Sequence, residues 1–211
     1  MTQNIILISA GKFSREIYCL VTDAIAAGVP WRIKGFLDNR ASILDGFDYP
    51  VGIISSVEAY EPQADDLFLC PIGDPLVRRH YTDLIEKKGG KFATVVHPTA
   101  VVGRNVSLGA GVITNTFVTI APDVCIGNFT HIGPNSVCSH DNRIGAWCQL
   151  SPFCCLAGSV TIEDLCFFGI HTAVVPGVRI GKQAFICAGS VVLKNVRAGA
   201  KMFGNPAVNI E

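Results

Sequence analysis

Two hundred and eleven residues, 49% hydrophobic and 16% charged, allow one large or two small domains with ample core. The formal net charge of zero argues against nucleic acid or an anionic membrane surface as partner. No stretch approaches the roughly 18 uninterrupted apolar residues of a membrane span, and the N-terminus lacks a signal-peptide layout, so a cytoplasmic protein is expected.

Taken in order, residues 3–9 form a short apolar run and read as a buried strand. Gly11 turns the chain, and Ile17, Leu20, Val21, Ala24 and Ile25 then keep helical spacing until Gly28 and Pro30. Residues 31–37 predict a second strand ending at Asp38. Residues 51–54 predict a third, with a short helix after Ser55. Residues 67–70 predict a fourth, followed by the turn Gly73-Asp74-Pro75 and a helix over 76–88 that stops at Gly89-Gly90. Residues 92–96 read as a last strand. This alternation indicates a small parallel sheet in a first domain over 1–94, with a second over 95–211.

In such a sheet, ligands bind at the C-terminal edge of the strands. The first strand-to-helix turn, Ser9-Ala10-Gly11-Lys12-Phe13, keeps one glycine of a phosphate loop. Asp38 ends the second strand, where an acid meets a ribose hydroxyl or a base edge. Gly73 and Asp74 follow the fourth strand at the same edge. Gly11, Lys12, Phe13, Asp38, Asn39, Gly73 and Asp74 are therefore the candidate nucleotide or acceptor residues, against the simpler reading of solvated turns.

From Val96 to Val192 every sixth residue is bulky and apolar, except Thr114 and Cys138. Four residues after each comes a small or branched one, from Ala100 through Asn142 to Val196. Glycine often follows the bulky position, as at Gly103, Gly109, Gly127, Gly133, Gly145, Gly169 and Gly181. A period of six fits no helix face. It fits a parallel β-helix in which three hexads close a triangular coil and coils stack roughly 4.8 Å apart. Glycine is expected there for backbone freedom at the turn. The nine cysteines form no Cys-x-x-Cys pair, and Cys148, Cys154 and Cys166 read as small buried filler. Cys148 and Cys166 lie one coil apart, within disulfide reach, but a reducing cytoplasm argues against a bond.

Of the five histidines, His80, His97, His131 and His171 read as surface or packing residues. His140 stands apart. It takes the outward third place of Cys138-Ser139-His140-Asp141-Asn142-Arg143, the most polar hexad of the run. A coil later in register stands Gly158, whose N–H a thioester carbonyl can approach unobstructed. A base beside an oxyanion donor is what acyl transfer needs.

The hexads resemble those of the left-handed β-helix, hexapeptide-repeat acyltransferases. A Rossmann-like N-terminal half ahead of the β-helix looks like the branch of sialic acid O-acetyltransferases and bacillosamine-type sugar N-acetyltransferases. Ser-His-Asp-Asn-Arg-Ile-Gly is similar to that branch's His-(Glu/Asp) motif. It implies His140 as general base, Asp141 as the acid that orients it, and Ala157-Gly158 as the thioester contact. Gln149 stands where a second family histidine is found, Phe13 where the glycine-rich turn carries one, and Asn39 where a second acid is found. The resemblance implies acetyl-CoA as co-substrate, no metal, and a homotrimer whose neighbouring coils form the CoA groove. Gly169, Ala173, Gly177, Ala188 and Gly189 would supply its small residues and Lys194 a phosphate contact. The tail Phe203-Gly204-Asn205-Pro206-Ala207 matches the closing Gly-Asn-Pro-Ala, with Asn205 and Pro206 beside CoA. Outward Trp147, Phe153 and Phe167 suit burial between subunits.

The expected activity is acetyl transfer to the amine of a nucleotide-linked amino sugar. O-acetylation of a sialic acid or other glycan hydroxyl is the nearest rival, since one base serves either nucleophile. A non-catalytic scaffold would leave His140, Asp141 and Gly158 without purpose. A zinc carbonic anhydrase of similar fold carries two histidines five apart, and no pair here has that spacing.

Overall fold

The computed structural model describes residues 2–210, and the chain divides into two compact units, Met1–Val95 and Val96–Glu211. In the first, β1 (Gln3–Ile8), α1 (Lys12–Ala26), β2 (Trp31–Leu37), β3 (Ile53–Ser55), β4 (Asp66–Leu69), α2 (Pro75–Lys87) and β5 (Lys91–Phe92) follow in order. The sheet runs β3-β2-β1-β4-β5, every pair parallel. Central β1 is fully buried from Ile5 to Ile8, which is why it reads as a continuous apolar run rather than an alternating one. α1 turns Ile17, Leu20, Val21 and Ala24 inward.

Two expectations for this unit are corrected. No helix follows Ser55: a single turn forms, with Ser56 Oγ accepting from Ala59 N–H at 3.2 Å, and Pro62 lies too close for a helix to continue. The strand expected over 92–96 is two. Lys91–Phe92 pairs with β4, whereas Val95–Val96 opens a sheet of the β-helix, and Ala93-Thr94 separates them.

The second unit is a triangular parallel β-helix. Among the described residues, two-residue strands recur every six residues and sort into three sheets. The first contains Val137–Cys138 and Cys155–Leu156, the second Arg143–Ile144 and Thr161–Ile162, the third Gln149–Leu150 and Phe167–Phe168. As far as Val192 each strand pairs with the one 18 residues away, as Cys138 with Leu156 and Ile144 with Ile162. The bulky column fills the interior: Leu150, Leu156, Phe168, Ile180 and Ile186 are fully buried. Burial of each such side chain contributes about 1.5–3 kcal/mol. The last coil is closed by Lys201–Phe203, parallel to Phe185–Ile186, and by Val208–Asn209 antiparallel to it, so the Asn205-Pro206 turn lies in a hairpin at that sheet edge. Cys148 and Cys166 are free thiols that donate to Glu163 O and Gly181 O, each at 3.2 Å.

The role expected of the hexad glycines is also corrected. The turn falls three residues after the bulky position, where φ is positive at every sixth residue from Asn105 (58°) through Asp141 (62°) to Gly189 (69°). Most of these corners are not glycine. The left-handed conformation lets the corner N–H reach the preceding coil: Ser159 N–H donates to His140 O at 2.9 Å and Gly177 N–H to Gly158 O at 3.0 Å. Glycine after the bulky residue answers a different need, close approach of the next coil. A Cβ at Gly127 would lie 2.7 Å from Ala146 N.

Candidate active site

His140 sits on the corner between the first-sheet strand Val137–Cys138 and the second-sheet strand Arg143–Ile144. Its imidazole is 65% exposed, and Nδ1 lies 2.8 Å from Asp141 Oδ2. The positive φ of Asp141 swings its side chain back toward its neighbour, so two consecutive residues meet. With Nδ1–H donating to the carboxylate, Nε2 keeps its lone pair for an incoming proton.

The ring lies against Gly158. A Cβ built there would stand 2.6 Å from both His140 Cε1 and Nε2, so any side chain at this position would push the imidazole out of its place. Among the described residues the Gly158 N–H has no hydrogen-bond partner. A base and a free amide donor thus share one edge of the molecule. The other histidines differ: His97 is buried with Nδ1 2.8 Å from Thr99 Oγ1, His131 is buried, His171 stacks on Phe153 at 4.8 Å, and His80 meets the edge of Tyr81.

The remaining residues expected around acetyl-CoA separate by register. Gly158 follows His140 by 18 residues and Lys194 by 54, and Gly177 is the corner next to Ser159, so these share His140's edge. Ala173 lies half-buried on the adjoining first sheet. Gly169, Ala188 and Gly189 lie at another edge, between third and first sheets, where a Cβ on Gly169 would meet Ala188 N at 2.5 Å. Gln149 is in the third sheet between His131 and Phe167, only 7% exposed. One chain does not bring these two groups together.

The first unit holds a cavity of about 320 Å³ at the C-terminal ends of β1, β2 and β4, lined by Ile8, Ser9, Leu37, Asp38, Asn39, Arg40, Val57, Ile72, Val77 and Tyr81. Asp38 is its buried charge. Its carboxylate accepts from Ala10 N–H (2.8 Å), Arg40 N–H (2.9 Å), Arg40 Nε (2.9 Å) and Arg40 Nη2 (2.8 Å). Burial alone would raise its pKa, but the Arg40 side chain and the backbone donors outweigh burial and pull it from 3.8 to about 2. Asp38 therefore stays ionised and its acceptor sites are filled, so Arg40 must move before a ribose hydroxyl binds there. Asn39 lines the same cavity, its Oδ1 3.4 Å from Val57 N. Gly11, Lys12, Phe13, Gly73 and Asp74 are outside the lining. Gly11 is the N-cap of α1, Lys12 is exposed, and Phe13 and Gly73 are half-buried. Asp74 caps α2, accepting from Leu76 N–H (2.8 Å) and Val77 N–H (3.0 Å). The candidate residues read from sequence omit Arg40 and Tyr81, which also line this cavity. The available signals were the two-residue spacing from Asp38 and the i,i+4 pairing of Val77 with Tyr81 on α2.

Among the described residues no group of three or more His, Cys, Asp or Glu side chains could hold a metal ion, and no helix is long and apolar enough to cross a membrane.

Residues 4–85 match the family model of the PglD N-terminal domain. Over 210 residues the chain is 34% identical to a GDP-perosamine N-acetyltransferase of Escherichia coli O157:H7, covering 95% of this chain and 93% of that one. Among solved structures it is similar to PerB from Caulobacter crescentus in complex with CoA and GDP-perosamine, at 27% identity and a TM-score of 0.88, covering 100% and 99% of the two chains. The acetyltransferase domain of PglB from Neisseria gonorrhoeae FA1090, at 21% identity and a TM-score of 0.90 over 99% and 100%, shares the fold. The second unit is thus a left-handed parallel β-helix following a Rossmann-like α/β unit.

Proposed function

The chain belongs to the hexapeptide-repeat sugar acetyltransferases, and from that premise we propose that it moves the acetyl group of acetyl-CoA to the amine of a nucleotide-linked amino sugar. The observation that carries the mechanism is the His140 ring seated on Gly158 with Nδ1 on Asp141. His140 Nε2 takes a proton as the neutral amine attacks the thioester carbonyl. The Gly158 N–H donates to the oxyanion of the tetrahedral intermediate. The carbon–sulfur bond breaks, and the CoA thiolate leaves with the proton that His140 returns. Asp141 holds the imidazole in the tautomer that accepts at Nε2 and stabilises its charged form.

We assign the nucleotide to the cavity around Asp38, Arg40 and Tyr81. GDP is the first nucleotide to offer, because the similar Escherichia coli enzyme is a GDP-perosamine N-acetyltransferase and the similar PerB is in complex with GDP-perosamine. A CoA groove that uses both the Gly158–Gly177–Lys194 edge and the Gly169–Ala188–Gly189 edge needs two copies of the chain, in keeping with a homotrimer. Phe153, 49% exposed, is apolar surface available to such an interface. We place the reaction in the cytoplasm, where acetyl-CoA is supplied.

The test is thiol release from acetyl-CoA with GDP-perosamine, UDP- and dTDP-linked 4-amino sugars and a free sialic acid in parallel, followed by treatment of the product with mild base. Release with a nucleotide amino sugar and a base-stable amide product is expected. Release only with sialic acid, giving a base-labile ester, would replace N-acetylation by O-acetylation.

A further inference from the structure

Behind the His140–Gly158 contact lies one buried amide. Asn142 is fully buried in the column of small corner residues. Its Nδ2 donates to Ser139 O, the carbonyl preceding His140, and to Ala157 O, the carbonyl preceding Gly158, the latter at 3.1 Å. Its Oδ1 accepts from Val160 N–H at 3.1 Å, two residues beyond Gly158. One planar group therefore ties the backbone just before the base to the backbone on both sides of the amide donor.

The β-helix does not need an amide for this corner. At Thr130 one hydroxyl does part of the same work, donating to Gly145 O at 2.7 Å and accepting from Cys148 N–H at 2.9 Å, and Ser136 repeats it with Ser151 O and Cys154 N–H. At Val112, Val118, Val124 and Val160 the corner is formed by fully buried valine. Only at the coil that carries His140 does the column hold a side chain with two donors and an acceptor. The tolerance there is small, since a single methyl on Gly158 would collide with the ring.

Resting on the acyl-transfer reading above, we propose that Asn142 is a positioning residue for acetyl transfer: it fixes the separation between the His140 imidazole and the Gly158 N–H, without touching substrate itself. Its removal acts on the chemical step rather than on binding of either substrate.

The test compares Asn142→Val, Asn142→Thr and His140→Ala with the unaltered full-length protein, reading kcat, the KM for acetyl-CoA and the melting temperature. Valine is expected to lower kcat by about 10²-fold, the cost of a misplacement on the order of 1 Å. KM should stay within about twofold. Threonine, which keeps the bridge to Ala157 O and Val160 N–H, should recover part of the loss. Where the valine variant does not fold, threonine alone decides, with a several-fold drop in kcat at unchanged KM expected. Unchanged kcat in the variants while His140→Ala is inactive overturns the positioning role and leaves the base in place. A loss of activity that only tracks the loss of folded protein overturns it as well. Full activity of His140→Ala instead removes the acyl-transfer reading on which the inference rests.

Discussion

In the α/β unit, Asp38 collects its donors from Ala10 and Arg40, and its cavity is assembled from residues as far apart as Ile8 and Tyr81. In the β-helix, the coil-to-coil partners of the site residues stand 15 to 19 positions away, as His140 with Gly158 and Asn142 with Ala157 and Val160. The first site depends on how several elements pack together, the second on counting. One buries a carboxylate beneath an exposed arginine; the other leaves an imidazole exposed on a rigid ladder. Substitutions in the two regions should therefore fail in different ways.

The sharpest contrast lies within the ladder. In Gly158→Ala the new methyl meets only an exposed imidazole, which can turn aside, so the melting temperature should barely change. The displaced base should lower kcat by about 10²-fold. In Gly127→Ala the methyl meets the backbone of the next coil, which cannot turn aside. Stability should fall by about 1–3 kcal/mol with kcat per folded molecule nearly unchanged. Urea unfolding and single-turnover rates on both variants check this, and similar profiles for the two would dissolve the distinction between site and scaffold glycine.

A smaller effect is expected for Asp141→Asn. Asparagine tolerates the left-handed corner, so the fold holds. Loss of the charged acceptor for Nδ1–H costs about 1.4 kcal/mol, roughly tenfold in kcat. An unaltered kcat in steady-state assays would mean that Asp141 serves the corner and not the imidazole.

The α/β unit should respond chiefly to acid. The pKa of Asp38 is lower folded than unfolded, so its stabilisation is complete above pH 4 and is lost as pH falls toward about 2. Asp66, likewise held down against its burial by Lys34, Tyr60 and Asn4, adds a loss of the same sign. Asp38→Asn should reduce stability at pH 7 modestly and flatten the acid limb of the unfolding curve. An acid limb as steep as that of the unaltered protein would show that the Arg40 pair contributes nothing.

How much could be read from sequence follows the same division. The hexad column placed Gly158 against His140 because register alone decides that contact. The same arithmetic separates Gly169, Ala188 and Gly189 from the His140 edge, since their offsets of 29, 48 and 49 exceed a whole number of 18-residue coils by 11 to 13 residues, about two-thirds of a coil. Asp141 could not be oriented from adjacency, because its direction depends on a left-handed corner at a non-glycine residue. The glycines were assigned to the wrong need for the same reason: the turn lies elsewhere in the hexad, and what glycine relieves is the approach of the neighbouring coil. In the α/β unit, β1, β2, β4 and both helices are legible from their apolar runs, whereas the stretch after Ser55 forms only a turn and 92–96 divides between two sheets. Arg40 over Asp38 and Tyr81 in the cavity are not legible, because packing between elements leaves no fixed spacing in the chain.

The most direct measurement is kcat for acetyl transfer from acetyl-CoA to GDP-perosamine by His140→Ala, with folding checked by circular dichroism. A folded variant slower by about 10²–10⁴-fold, the usual contribution of a general base, is the predicted result. A folded variant that turns over at the rate of the unaltered protein would contradict His140 as the base and, with it, the site built on Gly158.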